Sequence, residues 1–306
     1  MTYQITIQPA GLTIQAKPDE TLLDAILRQG LTMPHGCKSG ACGACRGDVK
    51  EGAVDLGPYQ SFAISASELA AGKALFCCAK AKGDLTLAHP DIVAADNIPA
   101  KIIPARVEKL EKRAPDVIEL HLRLPDGEKF PFRAGQFIDF LLADGKRRSY
   151  SIANAPEQEG VLELHIRQVP GGLFTSQVFS TLHLKDILRL EGPHGGFFLR
   201  ESDKPAILLG SGTGFAPLKA IVEHTLAAGI TRPLHLYWGC RKEIDLYLPE
   251  LPARWVREHP HIRYTPVLSE PDAAWQGRTG LVHQAVMADT ADLSGHQVYA
   301  CGAPPM

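Results

Sequence analysis
Polar and apolar residues alternate from Tyr3 to Gln8 and again from Gly11 to Ala16. That is the two-residue period of half-buried strands, and the short break between the runs predicts a hairpin. The period then lengthens. Leu22, Leu23, Ile26 and Leu27 form an apolar helical face, Asp19 or Thr21 is placed to cap it, and Gly30 suits the left-handed position after the last turn. A strand-like run from Gly47 to Val54 and a short helix around Ser67 to Ala71 lead to Leu75-Phe76-Cys77. From Asp91 to Pro104 no period holds, and Pro99 and Pro104 predict a linker.

Beyond residue 105 short alternating runs are separated by turn dipeptides. Val117 to Leu124 ends in Pro125-Asp126-Gly127, Gln136 to Leu142 ends in Asp144-Gly145, and Leu162 to Arg167 and Ile187 to Glu191 continue the series. Strands at this spacing predict an antiparallel barrel. At Ala206 the rhythm changes to strand (Ile207 to Leu209), glycine loop (Gly210 to Gly214), helix (Pro217 to Ala227) and strand (Leu234 to Trp238). That is the βαβ pattern of a doubly wound parallel sheet. The chain therefore reads as a multidomain α/β and β protein, with units over 1–92, 104–201 and 202–306 and a linker over 93–103.

Charge and composition remove several alternatives. The net charge of −2 offers no basic surface to nucleic acid or anionic lipid. The N-terminal alternation lacks the continuous apolar run of a signal peptide. No apolar stretch approaches the ~20 residues of a membrane span. The expectation is a cytoplasmic enzyme. Seven cysteines, an odd number clustered in one loop, argue against a disulfide framework and for reduced metal ligands.

Cys37, Cys42 and Cys45 follow the spacing C-x4-C-x2-C, with Cys77 or Cys78 far downstream. This is the spacing of plant-type 2Fe–2S clusters. Structural zinc more often takes two short cysteine pairs. Gly36, Gly40 and Gly43 suit a backbone wrapped closely around inorganic sulfide. Adjacent side chains on a strand point to opposite faces, so only one of Cys77 and Cys78 can face the cluster.

Two further segments carry chemistry. In Arg147-Arg148-Ser149-Tyr150-Ser151 an arginine can pair with a pyrophosphate, a tyrosine ring can lie against an isoalloxazine, and a serine hydroxyl can bond its N5. Gly171-Gly172-Leu173-Phe174-Thr175, at a helix start, can hold the pyrophosphate with backbone N–H groups. Gly210-Ser-Gly212-Thr-Gly214-Phe-Ala-Pro217 lies between a strand and a helix, where glycines let a dinucleotide approach the helix N-terminus. It is neither a P-loop nor a G-x-G-x-x-G turn. Glu243 and Asp245, after the next strand, would repel a 2′-phosphate or serve equally as ordinary helix-start acids. Tyr299-Ala300-Cys301-Gly302 closes another strand at the same edge.

In this order the three segments resemble the ferredoxin–NAD(P)H reductase superfamily, in the arrangement with an N-terminal plant-type ferredoxin domain. Such proteins serve aromatic dioxygenases and soluble monooxygenases as reductase components. The likeness spans nearly the whole chain. Arg147 to Pro156, Gly212 to Pro217 and Tyr237 to Gly239 are most similar to reductases of deoxysugar dehydrases.

The resemblance implies a β-grasp ferredoxin domain, a FAD-binding antiparallel β-barrel and a doubly wound NAD(P)H-binding domain, in that order. It implies Cys37, Cys42, Cys45 and Cys77 as metal ligands. The last is selected because Leu75-Phe76-Cys77-Cys78-Ala79, with Asp84 behind it, fits the family's Leu-x-Cys-x-Ala segment. FAD falls to Arg148, Tyr150, Ser151, Gly172 and Thr175, and the nicotinamide dinucleotide to Gly212, Thr213, Gly214, Pro217, Cys301 and Gly302. Tyr150, Ser151 and Cys301 stand nearest the reaction. The implied activity passes hydride from NADH, in preference to NADPH, to FAD. Single electrons then leave through the cluster to a dehydrase or oxygenase partner. A non-catalytic electron carrier or redox sensor is the alternative of another class. Family members continue past Cys-Gly through one more helix and strand to a terminal aromatic. This sequence stops at Pro304-Pro305-Met306, so the expectation is a fragment or a nicotinamide domain without its last elements.

Overall fold
The computed structural model describes residues 2–94 and 98–302. The centre of the expected linker (Ala95 to Asn97) and the segment from Ala303 to Met306 lie outside the described residues. The chain divides into two compact units, the first on residues up to Pro99 together with Gly195–Phe197, and the second on Ala100–His194 and the residues from Phe198.

In the first unit five strands form a mixed sheet in the order Leu12–Ala16, Tyr3–Gln8, Leu85–Ala88, Arg46–Glu51 and Lys73–Leu75. The first two make the expected hairpin, with Ile5 opposite Ile14. Tyr3–Gln8 runs parallel to Leu85–Ala88. Alternation turns Ile5, Ile7, Ile14 and Ala16 inward, where helix Leu22–Arg28 covers them with Leu22, Leu23, Ala25 and Ile26. A helix lying across a mixed sheet of this order is the β-grasp arrangement. Thr21, not Asp19, caps that helix: its Oγ1 accepts from the Asp24 N–H at 3.1 Å, and Gly30 follows at φ +73°. Two boundaries move. The expected strand from Gly47 to Val54 breaks into Arg46–Glu51 and Val54–Asp55, and the second helix is Ala66–Ala70, closed at its start by a capping box of Ser65 and Glu68.

The second unit carries two sheets. The first is antiparallel, in the order Arg147–Ser151, Phe137–Leu141, Ile187–His194, Lys101–Ala114, Val117–Arg123 and Val161–Arg167. Its outer strands meet through one bridge, Ile152 to Leu164, so six strands curl around the apolar cluster of Leu120, Leu122, Ile138, Phe140, Leu164 and Leu190. Strand Lys101–Ala114 takes up residues assigned above to the linker. Pro104 hid it from view. This proline lies in the stretch that pairs on one side only, with Ile187–His194, where a missing N–H is tolerated.

The second sheet is wholly parallel, in the order Arg278–Thr279, Ile262–Leu268, Leu234–Cys240, Ala206–Ser211 and Gln297–Cys301. Helix Val282–Asp289 packs on the face made by Ile207, Leu209, Tyr237 and Val267. Trp238, alternating to the other face, stacks at 3.9 Å on Phe215 of helix Phe215–Ala227, and Phe215 also meets Trp255 of helix Glu250–Glu258. The first strand of this sheet, Ala206–Ser211, lies beside its last, Gln297–Cys301. The connections therefore diverge between them, and such a switch point leaves a crevice at the strands' carboxyl ends.

Candidate functional site
In the first unit Cys37, Cys42 and Cys45 lie on the loop before strand Arg46–Glu51, and Cys77 on the turn after strand Lys73–Leu75. Cys37 Sγ accepts from the backbone N–H groups of Ser39, Ala41 and Cys42 at 3.4, 3.3 and 3.3 Å, and Cys45 Sγ from that of Cys77 at 3.4 Å. The Cys37 thiol touches those of Cys42 and Cys77, and Cys45 touches Cys77. Four sulfurs thus converge, with amide N–H groups aimed at them. That donor set fits an anionic tetrathiolate cluster. Gly40 allows the wrap: at φ +71° its Cβ would lie 2.8 Å from Cys78 Sγ and 2.9 Å from Tyr59 Cα.

The strand argument for separating Cys77 from Cys78 does not hold. Phe76 to Cys78 form a turn, and the two sulfurs lie 3.6 Å apart. They differ in what they face, since Cys77 meets Cys37 and Cys45 while Cys78 packs on Gly40.

In the second unit Arg148 and Tyr150 share one face of strand Arg147–Ser151, and Ser151 ends it. Arg147 pairs with Glu191 at 2.7 Å, whereas Arg148 has no carboxylate within ion-pair distance among the described residues. Of the two, Arg148 is the one left for a phosphate. The Tyr150 ring is held between Phe140 and Phe174 at 5.8 and 5.6 Å, and burial pushes its hydroxyl up to about 12, so it stays protonated. Helix Leu173–Ser180 starts at Gly172 without a side-chain cap, which leaves its first N–H groups available to an anion. Thr175 turns its hydroxyl back into the loop, accepting from the Val169 N–H at 3.2 Å. It holds the turn before the helix in shape.

At the switch point the two glycine segments meet backbone to backbone. A Cβ on Gly214 would collide with the Cys301 carbonyl, and one on Gly302 with Ser211 Oγ. Gly212 and Thr213 lie in a 3-10 turn ahead of helix Phe215–Ala227, which has no side-chain cap, and Pro217 occupies its first turn. Burial pushes the Cys301 thiol up to about 11, so it is no thiolate nucleophile. Asp245 takes the second of the two roles open to it: it accepts from the Lys242 N–H at 3.0 Å and is buried; Glu243 beside it is exposed.

Sequence reading missed two features. Arg167 Nη1 lies 3.3 Å from where a Cβ on Gly212 would sit; its Nε forms an ion pair with Asp116 at 3.5 Å, while its Nη2 is buried without a hydrogen-bond partner. The other feature is a buried network. Lys219 Nζ donates to Glu163 Oε2 at 2.9 Å, Glu223 Oε2 at 2.9 Å and the Ala153 carbonyl at 3.2 Å. His165 lies 2.8 Å from Glu163 Oε1 through Nε2 and 2.9 Å from the Tyr247 hydroxyl through Nδ1. Burial drives the His165 pKa down, so the ring is neutral. A carboxylate only accepts; Nε2 therefore carries the proton, and Nδ1 accepts from Tyr247. Burial alone would raise Glu163, but the His165 hydrogen bond and the Lys219 charge hold it down at about 2. Neither feature has a local signature. An arginine at a strand end reads as solvated charge, and Lys219 lies 56 residues from Glu163.

The fold and these sites define a class: a nicotinamide-linked flavoprotein oxidoreductase with its own iron–sulfur domain. Three family descriptions match in the same order. They are a 2Fe-2S iron-sulfur cluster binding domain over residues 5–82, an oxidoreductase FAD-binding domain over 104–199 and an oxidoreductase NAD-binding domain over 208–306. The chain is 40% identical over 306 residues to the CDP-6-deoxy-L-threo-D-glycero-4-hexulose-3-dehydrase reductase of Yersinia pestis, covering 100% of this chain and 92% of that protein. It is 35% identical over 317 residues to the reductase component of phenol 2-monooxygenase from Pseudomonas sp. strain CF600, covering 100% and 88%. The crystal structure of the Amycolatopsis cytochrome P450 reductase GcoB matches with a TM-score of 0.73 at 35% identity, over 99% of this chain and 92% of that one. The chain belongs to the 2Fe–2S ferredoxin-reductase family. It is an iron–sulfur flavoprotein reductase that passes electrons to a protein partner. Among the described residues no helix is long and apolar enough to cross a membrane.

Two outcomes follow from this geometry. Cys77→Ser should abolish the visible absorption of the reconstituted cluster, while Cys78→Ser should keep it. The depressed Glu163 carboxyl also makes stability pH-dependent. Its contribution is full above the ordinary value of 4.5 and is lost as pH falls through about 2, at most about 3 kcal/mol over that window. All three tryptophans (Trp238, Trp255 and Trp275) lie in the second unit, so their fluorescence during denaturation at pH 5 and pH 2.5 reads it. Glu163→Gln should lower stability at pH 5 and flatten the acid loss.

Proposed function
We propose that this chain oxidises NADH and delivers single electrons to a deoxysugar dehydrase, with residues 1–92 as the ferredoxin domain, 93–103 as the linker, 104–201 as the flavin domain and 202–306 as the nicotinamide domain. FAD, when bound, accepts two electrons as a hydride and releases them singly, and the cluster carries one at a time. The chain's own residues bind, orient and shield. Arg148 and the N–H groups that follow Gly172 would hold the FAD pyrophosphate, Tyr150 would pack on the ring system, and Ser151 would donate to N5. Gly212, Thr213 and Gly214, with Pro217 opening the helix behind them, would seat the dinucleotide. Arg167, paired through Nε with Asp116, would offer its remaining guanidinium N–H groups to the dinucleotide phosphates. Cys301 and Gly302 would line the nicotinamide end, with the thiol protonated throughout. Cys37, Cys42, Cys45 and Cys77 would hold the cluster. No side chain need act as nucleophile or general base.

What carries this reading is the close approach of Gly214 to the Cys301 carbonyl, which places the glycine loop and the Cys-Gly segment at one crevice. Selection of NADH over NADPH rests on exposed Glu243, and a cytoplasmic setting on the chemistry of reduced thiols. The relative with 40% identity favours a dehydrase as acceptor. The likeness to the P450 reductase favours an oxygenase as the second reading.

The test is an anaerobic absorption titration of the purified chain, loaded with FAD and cluster, first with NADH and then with dithionite. NADH should bleach flavin and cluster together, and kcat/KM for NADH should exceed that for NADPH. If NADH changes nothing while dithionite reduces both centres, the chain is a carrier and the proposal fails. The acceptor that accelerates NADH oxidation without releasing peroxide identifies the partner class. Arg167→Gln should raise the KM for NADH about 10- to 100-fold with FAD content unchanged, the size expected for losing a charge-assisted hydrogen bond.

A further inference from the structure
Three segments of the second unit flank the proposed reaction, and one buried cluster touches them all. The first is Ile152 to Asn154, which continues from Ser151. The Ala153 N–H donates to the Glu163 carbonyl at 2.7 Å, Asn154 Oδ1 accepts from the Glu163 N–H at 2.8 Å, and the Ala153 carbonyl accepts from Lys219 at 3.2 Å. The second is helix Phe215–Ala227, which carries Lys219 and begins at the glycine loop. The third is the loop after strand Leu234–Cys240, whose Tyr247 bonds His165 and packs edge-on to Trp238 at 5.1 Å.

The cluster at their centre is dry and fully paired. Glu163, His165 and Lys219 are each no more than 6% exposed. Lys219 has three N–H donors, and each has an acceptor. Glu163 accepts on both oxygens. A buried ammonium finds such partners only in one arrangement of the elements that supply them, so it fixes relative position more narrowly than apolar contact does.

We propose that Lys219, Glu163 and His165 are positioning residues for hydride transfer: they lock the dinucleotide-binding helix and the Tyr247 loop to the strand segment that follows Ser151, and so set the distance between the two reacting rings. All three are buried and bonded within the network. This role presupposes that the unit carries out the hydride transfer proposed above. Hydride transfer is steep in distance, and a misplacement of about 1 Å lowers a rate as much as a hundredfold.

The experiment separates positioning from stability by removing both charges together. Lys219→Met, Glu163→Gln and the double variant are each loaded with FAD. Three properties are read: the tryptophan-fluorescence melting temperature, NAD+ affinity by calorimetry, and the anaerobic rate of flavin bleaching at saturating NADH. Each single variant leaves a buried charge unpaired and should melt well below wild type, while the double variant, which leaves only the half-buried Glu223 carboxylate without its cation, should recover part of that loss. The proposal expects the double variant to bind NAD+ within about threefold of wild type yet to bleach at least about tenfold more slowly. A double variant that recovers both melting temperature and rate shows the network to be structural only and overturns the proposal. If the double variant does not fold, Tyr247→Phe decides. It removes one hydroxyl at the edge of the network and should slow bleaching several-fold with FAD content intact; a wild-type rate overturns the proposal. Failure of wild type itself to bleach with NADH counts against the proposed function instead, so the two failures are told apart.

Discussion
Everything the second unit can do depends on one steric constraint. Where the first and last strands of the parallel sheet lie side by side, their carboxyl ends come so close that only backbone fits between them. A single methyl group at Gly214 would strike the Cys301 carbonyl. That absence of side chains exposes N–H groups at the start of helix Phe215–Ala227, next to a strand end that carries the thiol of Cys301. A dinucleotide needs both at once: phosphate held by N–H groups, and the nicotinamide carried beyond them to the sheet edge. The strand order creates the crevice, and glycine keeps it open.

The first unit solves a related problem with the same device. A cluster of four thiolates is anionic, and burying it in apolar surroundings would be costly without donors. The loop aims its backbone N–H groups at Cys37, and the turn at Cys77 aims one at Cys45; glycine at position 40 lets the loop pass against Tyr59 and Cys78. Both sites therefore draw on main-chain donors, which cannot titrate, beside their side chains. That suits a protein that moves electrons, because its binding groups keep the same charge through each redox cycle.

How much of this could be read from the sequence follows the range of the interactions. The hairpin, the first helix and the glycine loops were legible because period, cap and turn chemistry act within a few residues, as Thr21 and Gly30 show. The cysteine spacing was legible because one loop carries three of the four converging thiols. Strand Lys101–Ala114 was not, since Pro104 mimicked a linker and only its pairing with Ile187–His194 reveals a ladder position free of the missing N–H. For Asp245 the sequence left two readings open, and the structure shows its carboxylate closing a local turn. The Cys77 and Cys78 argument assumed a strand where a turn lies. Arg167, Glu163, His165 and Lys219 were silent, because each acquires its meaning from a residue tens of positions away.

The silent residues also explain why a buried ion pair is kept where apolar side chains would pack as well. Replacing such a pair by hydrophobic residues is often neutral or stabilising, so stability alone does not account for it. An apolar interface between helix Phe215–Ala227 and the curled sheet would tolerate small slides, since dispersion contacts are many and individually weak. Lys219 does not. Its three acceptors come from Glu163 and Ala153 in the flavin sheet and from Glu223 one helical turn along. Lys219 is bonded to carboxylates on both sides, Glu163 on the sheet and Glu223 on its own helix, and a slide of the helix would break the bond to Glu163 and leave a buried charge unpaired. A contact that restricts geometry in this way suits a reaction whose rate depends on distance.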